Sequence, residues 1–170
     1  MAHRTNLKTI GVAMAKHRLN FILHFLTKVQ RRLQKWLGAS TAGVRTLVLN
    51  EKGEVLLVRH TYSPGWHFPG GGIKPGESPE KAARREAYEE TGIETQDALS
   101  LIGVYYHQVR GVDDYVMFYI IHSFVQHDVH SPEIAEHRWS DPAQLPPGTT
   151  RATRSRLSEY LEGFASSDQW

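Results

Sequence analysis

The 170-residue chain contains no cysteine, which excludes a disulfide framework and a thiolate zinc site. Ten histidines are present but scattered, and the close pair His127 and His130 has no second pair at zinc-finger spacing. No apolar run is long enough to span a bilayer, and no secretory signal is evident. We therefore expect a cytoplasmic protein with one domain large enough to bury a core.

Acidic residues are absent from the first 50 positions, which hold nine lysines and arginines. The other 11 of the 20 basic residues share the rest of the chain with all 18 acidic residues. We therefore predict two parts, a basic extension over residues 1–40 and a domain over residues 41–170. Within the extension, apolar side chains recur at steps of three and four, namely Leu19, Ile22, Leu26, Val29, Leu33 and Trp36. This spacing predicts an amphipathic basic helix.

Four interpretations of this helix remain open. It can dock on the domain or on a second copy of the chain, or bind anionic lipid at the inner membrane surface through residues 15–37. A cleaved transit peptide is less favoured because the extension is poor in serine. Contact with nucleic acid is also possible but is not favoured, since basic charge alone supports only non-specific, salt-dependent binding.

The pattern of the remaining chain predicts an α/β fold. Strands are expected at residues 44–49, 54–60, 99–108, 114–125 and 134–140, and a closing helix at residues 151–161. A turn is expected at residues 50–53, and another around Arg110-Gly111. The long β-branched and aromatic run within residues 114–125 is typical of a central strand.

The most informative segment, residues 70–93, reads GGGIKPGESPEKAARREAYEETGI. Ser78-Pro79 is a helix start and Gly92 a helix stop, which predicts a helix over residues 79–91. Glu86, Glu89 and Glu90 then fall on one face, at i, i+3 and i+4. Such a face is either a solvated acidic surface or a site for a hard cation such as Mg²⁺ or Mn²⁺.

The full spacing favours the cation site. Gly71, Glu77, Arg85-Glu86, Ala87, Glu89-Glu90 and Gly92-Ile93 stand at the positions of the Nudix box, so the chain resembles the Nudix hydrolases. The resemblance implies an α/β/α sandwich with a mixed sheet and a loop-helix-loop motif. It also implies Mg²⁺- or Mn²⁺-dependent hydrolysis of a nucleoside diphosphate linked to another group. Nucleotide sugars, nucleoside triphosphates and dinucleoside polyphosphates all qualify as substrates.

The resemblance also suggests residue roles. It implies metal binding by Glu86, Glu89, Glu90 and the carbonyl group of Gly70. It implies structural roles for Gly71, Glu77, Arg85 and Gly92. Among these, Arg85 and Glu77 are expected to form an ion pair that ties the loop to the helix. The general base is left open between Glu89 and Glu136, with Glu133 in reserve.

The substrate is less constrained. Trp66 and Phe68 either stack on a base or fill the core, Arg59 is a candidate phosphate contact, and Tyr105 a candidate on a strand face. The chain lacks the proline after the box that marks many ADP-ribose-cleaving relatives and the arginine-rich stretch of the coenzyme A branch. A catalytically silent nucleotide-binding regulator and an RNA 5′-pyrophosphohydrolase are the alternative functions.

Overall fold

The computed structural model describes residues 40–163 and 167–170. The predicted amphipathic helix of residues 15–37 lies outside them. The elements follow in chain order: β1 (Thr41–Val48), β2 (Val55–His60), α1 (Pro79–Thr91), β3 (Ile93–Glu94), β4 (Ser100–Val109), β5 (Val112–Ile121), β6 (Val125–Gln126), β7 (Ile134–Ser140), a short 3-10 helix (Pro142–Gln144) and α2 (Arg151–Glu162).

Strand β5 lies between β1 and β4, which confirms the prediction of a central strand. It runs parallel to β1 and follows β4 through the two-residue turn Arg110-Gly111, so the sheet is mixed. Both turn residues have positive φ, 55° and 78°, as the favoured two-residue hairpin turn requires. Strands β2 and β7 form a second, antiparallel pair, and β3 pairs with β6.

Two predicted features differ from the structure. The strand predicted over residues 114–125 ends at Ile121, where its parallel partner β1 also ends, and the chain resumes pairing in β6. Strands β1 and β2 are neighbours in sequence but are not paired with each other; the residue after β1, Leu49, forms an isolated bridge with Val55. Each takes its main partner from a distant segment, which local patterning does not reveal.

Alternating side chains of β5 face two different helices, as the two-residue period of a strand requires. Phe118 and Ile120 join a core that includes Leu157 of α2. Tyr119 and Ile121 point the other way, into clusters that contain the alanines of α1. The expected α/β/α layering is therefore present, with the sheet between the helices.

Helix α1 packs on the sheet through small side chains. Ala82, Ala83 and Ala87 are fully buried, and they contact clusters that include Val44 and Val48 of β1. Since an alanine adds only one methyl group, the helix backbone lies close to the sheet. The helix that carries the glutamates is thereby held in a fixed position against the sheet.

Replacement of Leu157 by alanine tests the packing of α2. Leu157 is 2% exposed, so Leu157→Ala should lower the free energy of unfolding by about 2–5 kcal/mol, measured by urea denaturation. Leu161 on the same helix is 58% exposed, and Leu161→Ala should change it by less than about 0.5 kcal/mol. Equal losses in the two variants would contradict this packing.

Candidate active site

Helix α1 begins and ends as the sequence predicts. The Ser78 hydroxyl accepts a hydrogen bond from the backbone N–H of Lys81, and Pro79 occupies the first turn. Gly92 adopts a left-handed conformation with φ 73°, and its N–H bonds to carbonyl groups of the last turn. Both ends are thus fixed by local chemistry, which sets which side chains share a face.

Arg85 ties the preceding loop to the helix. Its Nε and Nη2 donate to the two carboxylate oxygens of Glu77 at 2.7 and 2.8 Å, and Nη2 also donates to the carbonyl of Gly72 at 3.1 Å. Its Nη1 contacts Glu86 at 2.7 Å and Glu89 at 3.2 Å. The hydrogen bonds from Arg85, together with one from the N–H of Lys74, lower the pKa of Glu77 to about 2.

Glu90 is held differently, because it is only 6% exposed. Its Oε2 accepts a hydrogen bond from the N–H of Gly70 at 2.9 Å. Burial is the main cause that raises the pKa of Glu90 to about 7, and the nearby charges of Glu86 and Glu133 raise it further. A buried carboxylate beside others is poised to gain from a bound cation.

His60 faces Glu90 from the end of β2. Its Nδ1 lies 3.7 Å from Oε1 of Glu90, and this nitrogen is buried without a hydrogen-bond partner. Burial, with the charge of Arg45 as a smaller cause, lowers the pKa of His60 to about 4. The imidazole is therefore neutral near pH 7, and the contact with Glu90 is not an ion pair there.

The glycine loop passes closely between β1 and α1. Gly70 has φ 145°, and a Cβ atom there would lie 2.2 Å from the carbonyl oxygen of Val44. At Gly71 a Cβ atom would lie 2.6 Å from Oε1 of Glu86. Gly70 therefore excludes larger side chains, because its neighbour is backbone, whereas a side chain at Gly71 would displace the Glu86 carboxylate.

Sequence reasoning missed Arg45. Its guanidinium donates to the carbonyl of Gly70 and, at 3.4 Å, to that of Phe68. After burial, its charge is a further cause that lowers the pKa of His60. For Glu90, whose pKa burial raises, the charge of Arg45 acts in the opposite direction and lowers it. The available signal was a single charged residue within a β-branched and apolar strand segment, VRTLV.

Three of the four glutamates of α1 line one cavity of about 670 Å³. Its wall comprises residues of α1, Lys74 from the loop and the segment of residues 129–133. Glu86, Glu89, Glu90 and Glu133 are all part of this lining. In the described part of the chain, no three acidic or histidine side chains converge on a single ion position, because Arg85 holds Glu86 and Glu89.

Glu136, a predicted candidate for the general base, is not among the residues that line this cavity. It lies on β7 opposite Arg59 of β2 and forms ion pairs with Arg59 at 3.0 Å and Arg138 at 2.6 Å. These two hydrogen-bonded arginines lower the pKa of Glu136. Arg59, a candidate phosphate contact, is therefore already paired with a carboxylate.

A family comparison agrees with this geometry. The profile of the NUDIX domain family matches residues 39–161. The chain belongs to the Nudix family. It is accordingly an enzyme of the pyrophosphohydrolase type, acting on acid anhydrides.

Named relatives place this Nudix hydrolase in a varied group. It is 36% identical over 124 residues to a putative 8-oxo-dGTP diphosphatase of Bacillus subtilis, covering 72% of this chain and 81% of the relative. It is 48% identical over 54 residues to an RNA pyrophosphohydrolase of Photorhabdus laumondii, a match that spans 32% of this chain and 31% of the relative.

A solved structure shares both the family and the fold. The MutT NUDIX hydrolase from Burkholderia pseudomallei superposes with a TM-score of 0.62 at 27% identity, covering 70% of this chain and 96% of that one. An Ap4A hydrolase from C. elegans, at 24% identity and a TM-score of 0.60, covers 73% and 99% and supports the fold alone. The predicted Nudix fold is thus confirmed.

The other predicted substrate contacts of this Nudix domain lie in its interior. Phe68 is fully buried against Phe118, with ring centroids 4.9 Å apart. Tyr105 is 3% exposed, beneath the guanidinium of Arg156 at 4.3 Å. Both rings are packed in the core, and their contact with substrate stays a prediction that this burial does not support.

Trp66 is also covered. It is 6% exposed, and the guanidinium of Arg138 lies 5.0 Å from its ring centroid. Of the two interpretations of Trp66 and Phe68, core packing is the one that fits.

Nudix hydrolases use divalent metal ions, and the residues here suit one. Carboxylate and carbonyl oxygens are the donors that hard cations prefer. Among the described residues, no helix combines the length and apolar character needed to cross a membrane.

Replacement of Gly70 tests the glycine loop. Gly70→Ala should lower the free energy of unfolding by about 2 kcal/mol or more, because it combines a left-handed φ with a clash against β1. Gly72→Ala is the matched control, since a Cβ atom at Gly72 meets nothing within 4 Å. Urea denaturation of both variants checks this; unchanged stability of Gly70→Ala would refute the close approach.

Proposed function

We propose that this Nudix enzyme hydrolyses a pyrophosphate bond in a nucleoside diphosphate derivative, with Mg²⁺ as the preferred ion and Mn²⁺ as a substitute. One observation carries the proposal: Glu86, Glu89 and Glu90 of α1 line the same cavity of about 670 Å³ as Glu133. That volume is within the range of small-molecule sites. Its acidic wall needs a cation before it can accept a polyphosphate.

Glu86, Glu89 and Glu90, together with the carbonyl group of Gly70, would hold the metal ions. When bound, such ions neutralise phosphate oxygens and lower the pKa of a bound water. Glu90 is already fixed by the N–H of Gly70 at 2.9 Å, so it needs little reordering. Arg85 retains its two bonds to Glu77 whatever Glu86 and Glu89 contact.

Glu133 is the proposed proton acceptor for the attacking water, and Glu89 remains the alternative. The segment of residues 129–133, which includes Glu133, lines the cavity together with α1. The carbonyl group of Glu133 accepts hydrogen bonds from the N–H and the hydroxyl of Thr61 at 2.8 and 3.2 Å. The backbone that carries this carboxylate is thereby anchored. Glu136, held between two arginines, is not proposed for this role.

Nucleoside triphosphates are the substrate class we place first. The Bacillus subtilis relative, named for 8-oxo-dGTP, matches 72% of this chain. Lys74 lines the cavity and lies 3.8 Å from Glu89, where an ammonium group can meet a terminal phosphate. A panel of nucleoside triphosphates, nucleotide sugars and dinucleoside polyphosphates with Mg²⁺, scored for released phosphate and nucleoside monophosphate, tests this order.

Removal of single carboxylates tests the site. Glu86→Gln and Glu90→Gln should each lower kcat/KM at least about 100-fold, because each removes a hard anionic ligand while keeping the side-chain shape. Glu133→Gln should lower kcat about 100-fold or more with little change in KM if it is the base; Glu89→Gln is the comparison.

Glu136→Gln is the matched control and should retain kcat/KM within about threefold. Circular dichroism and thermal melting exclude unfolding as the cause of any loss. Full activity of Glu90→Gln would sink the metal assignment. Ligand-induced thermal stabilisation of the unmodified enzyme without turnover would favour the silent regulator instead.

RNA 5′-ends are the second candidate substrate. Two observations favour it. The chain is 48% identical over 54 residues to an RNA pyrophosphohydrolase, and residues 1–50 carry only basic charge. Peripheral membrane binding or self-association through residues 15–37 remains a separate proposal, tested by liposome co-sedimentation and by sedimentation of the free protein.

Truncation of residues 1–38 distinguishes RNA from free nucleotides. If RNA is the substrate, the truncated protein should lose about tenfold or more in kcat/KM on 5′-triphosphate RNA and little on nucleoside triphosphates, because basic side chains contact the phosphate backbone. The RNA effect should shrink as salt is raised. Equal losses on both substrates would count against this role.

A further inference from the structure

An exposed aromatic ring, that of Tyr62, stacks on His60, whose Nδ1 lies 3.7 Å from the cavity residue Glu90. Tyr62 is 68% exposed, the largest exposed fraction among the large apolar side chains of the described residues. It follows β2 directly, in a segment whose sequence had pointed instead to Trp66 and Phe68 as stacking candidates. Those two rings are buried, so Tyr62 is the aromatic of this segment with a free face.

The two residues before Tyr62 anchor it to the site. His60 lies 3.7 Å from Glu90, and Thr61 donates two hydrogen bonds to the carbonyl of Glu133. Glu90 and Glu133 both line the cavity. Tyr62 is therefore tied to both walls through its immediate neighbours.

The ring of Tyr62 is also supported from below. It stacks on His60 with ring centroids 5.0 Å apart and an interplanar angle of 28°. His60 is 7% exposed and contacts the ring of His67 at 5.6 Å, so the supporting imidazole is held in place. One face of the Tyr62 ring is therefore covered by His60, and the other face is exposed to solvent.

The electrostatic surroundings agree with this position. After burial, the charges of Glu133 and Glu90 are the main causes that raise the pKa of Tyr62, and Glu86 adds to them. The phenol is thus close enough to sense three carboxylates of the cavity wall. It stays neutral and presents an uncharged π-face.

We propose that Tyr62 is a specificity-determining residue that stacks on the nucleobase of the substrate, with His60 as its support. The inference rests on the proposed nucleotide substrate and deepens it. Stacking tolerates any base, because every base has a π-face. It recognises the part of the substrate that the metal and carboxylates do not contact, so it should affect nucleotides but not bare polyphosphate.

Variants of Tyr62 test the proposal through a comparison of substrates. Tyr62→Ala should raise KM for ATP and GTP about 5- to 100-fold and leave kcat within about twofold, because stacking on a base is worth about 1–3 kcal/mol. Its activity on ribose 5′-triphosphate and on inorganic tripolyphosphate, which lack a base, should not change. Tyr62→Phe and Tyr62→Trp should restore the KM for nucleotides.

Tyr115→Ala is the matched control. Tyr115 is an exposed tyrosine of β5 whose ring contacts Tyr106 at 5.6 Å, whereas Tyr62 contacts His60 beside Glu90. It should leave KM for all four substrates unchanged. Thermal melting of each variant reports on folding.

Three outcomes would overturn the proposal: an unchanged KM in Tyr62→Ala, an equal change with and without the base, or no rescue by phenylalanine. If the unmodified enzyme hydrolyses none of these substrates, the proposed function fails, and titration with a non-hydrolysable ATP analogue and Mg²⁺ still measures stacking. Weaker binding by Tyr62→Ala alone supports the role of Tyr62, whereas no binding by the unmodified protein or equal binding by both overturns it.

Discussion

Repulsion between carboxylates on one face of α1 is the constraint around which this structure is organised. The fold answers it in two ways. Arg85 contacts Glu86 and Glu89 while it grips Glu77, so a single cation compensates two charges on the helix and one on the loop. Glu90 is instead withdrawn from water, with a pKa raised to about 7 by burial. Both arrangements leave a group of carboxylates that a bound divalent ion would stabilise.

The rest of the domain holds that wall still. The alanine face of α1 lies close to the sheet, and the helix ends are capped by Ser78 and Gly92. The loop before the helix is pressed against β1, where Gly70 leaves no room for a side chain. Phosphoryl substitution depends mainly on positioned charge, so a helix fixed along its whole length is a suitable platform.

The proposed base recognition and the proposed bond cleavage involve different segments of the chain. Residues 70–93 carry the groups suited to metal and phosphate, and these groups do not distinguish one nucleotide from another. The segment after β2 adds Tyr62 with His60 beneath it, anchored to Glu90 and Glu133.

The sequence alone determined the features that depend on local chemistry and on spacing within one segment. Helix α1 was predicted to the residue, because its cap residues and its three-glutamate face are set by neighbours along the chain. The family followed from the same spacing, and the central position of β5 from its apolar run. The limits of β5 and the partners of β1 and β2 were missed, since strand pairing joins distant segments.

Only the tertiary structure decided which side chains outside that segment reach the cavity. Glu133 and Glu136 are three positions apart in sequence, yet one lines the cavity and the other pairs with Arg59 across β7 and β2. Likewise Trp66 and Tyr62 belong to one aromatic segment, and packing buries the first and exposes the second. From residue type alone, Glu133 cannot be distinguished from Glu136, nor Trp66 from Tyr62, as a residue that reaches the cavity. Burial and strand register separate them, because both arise from contacts between parts of the chain that are far apart in sequence.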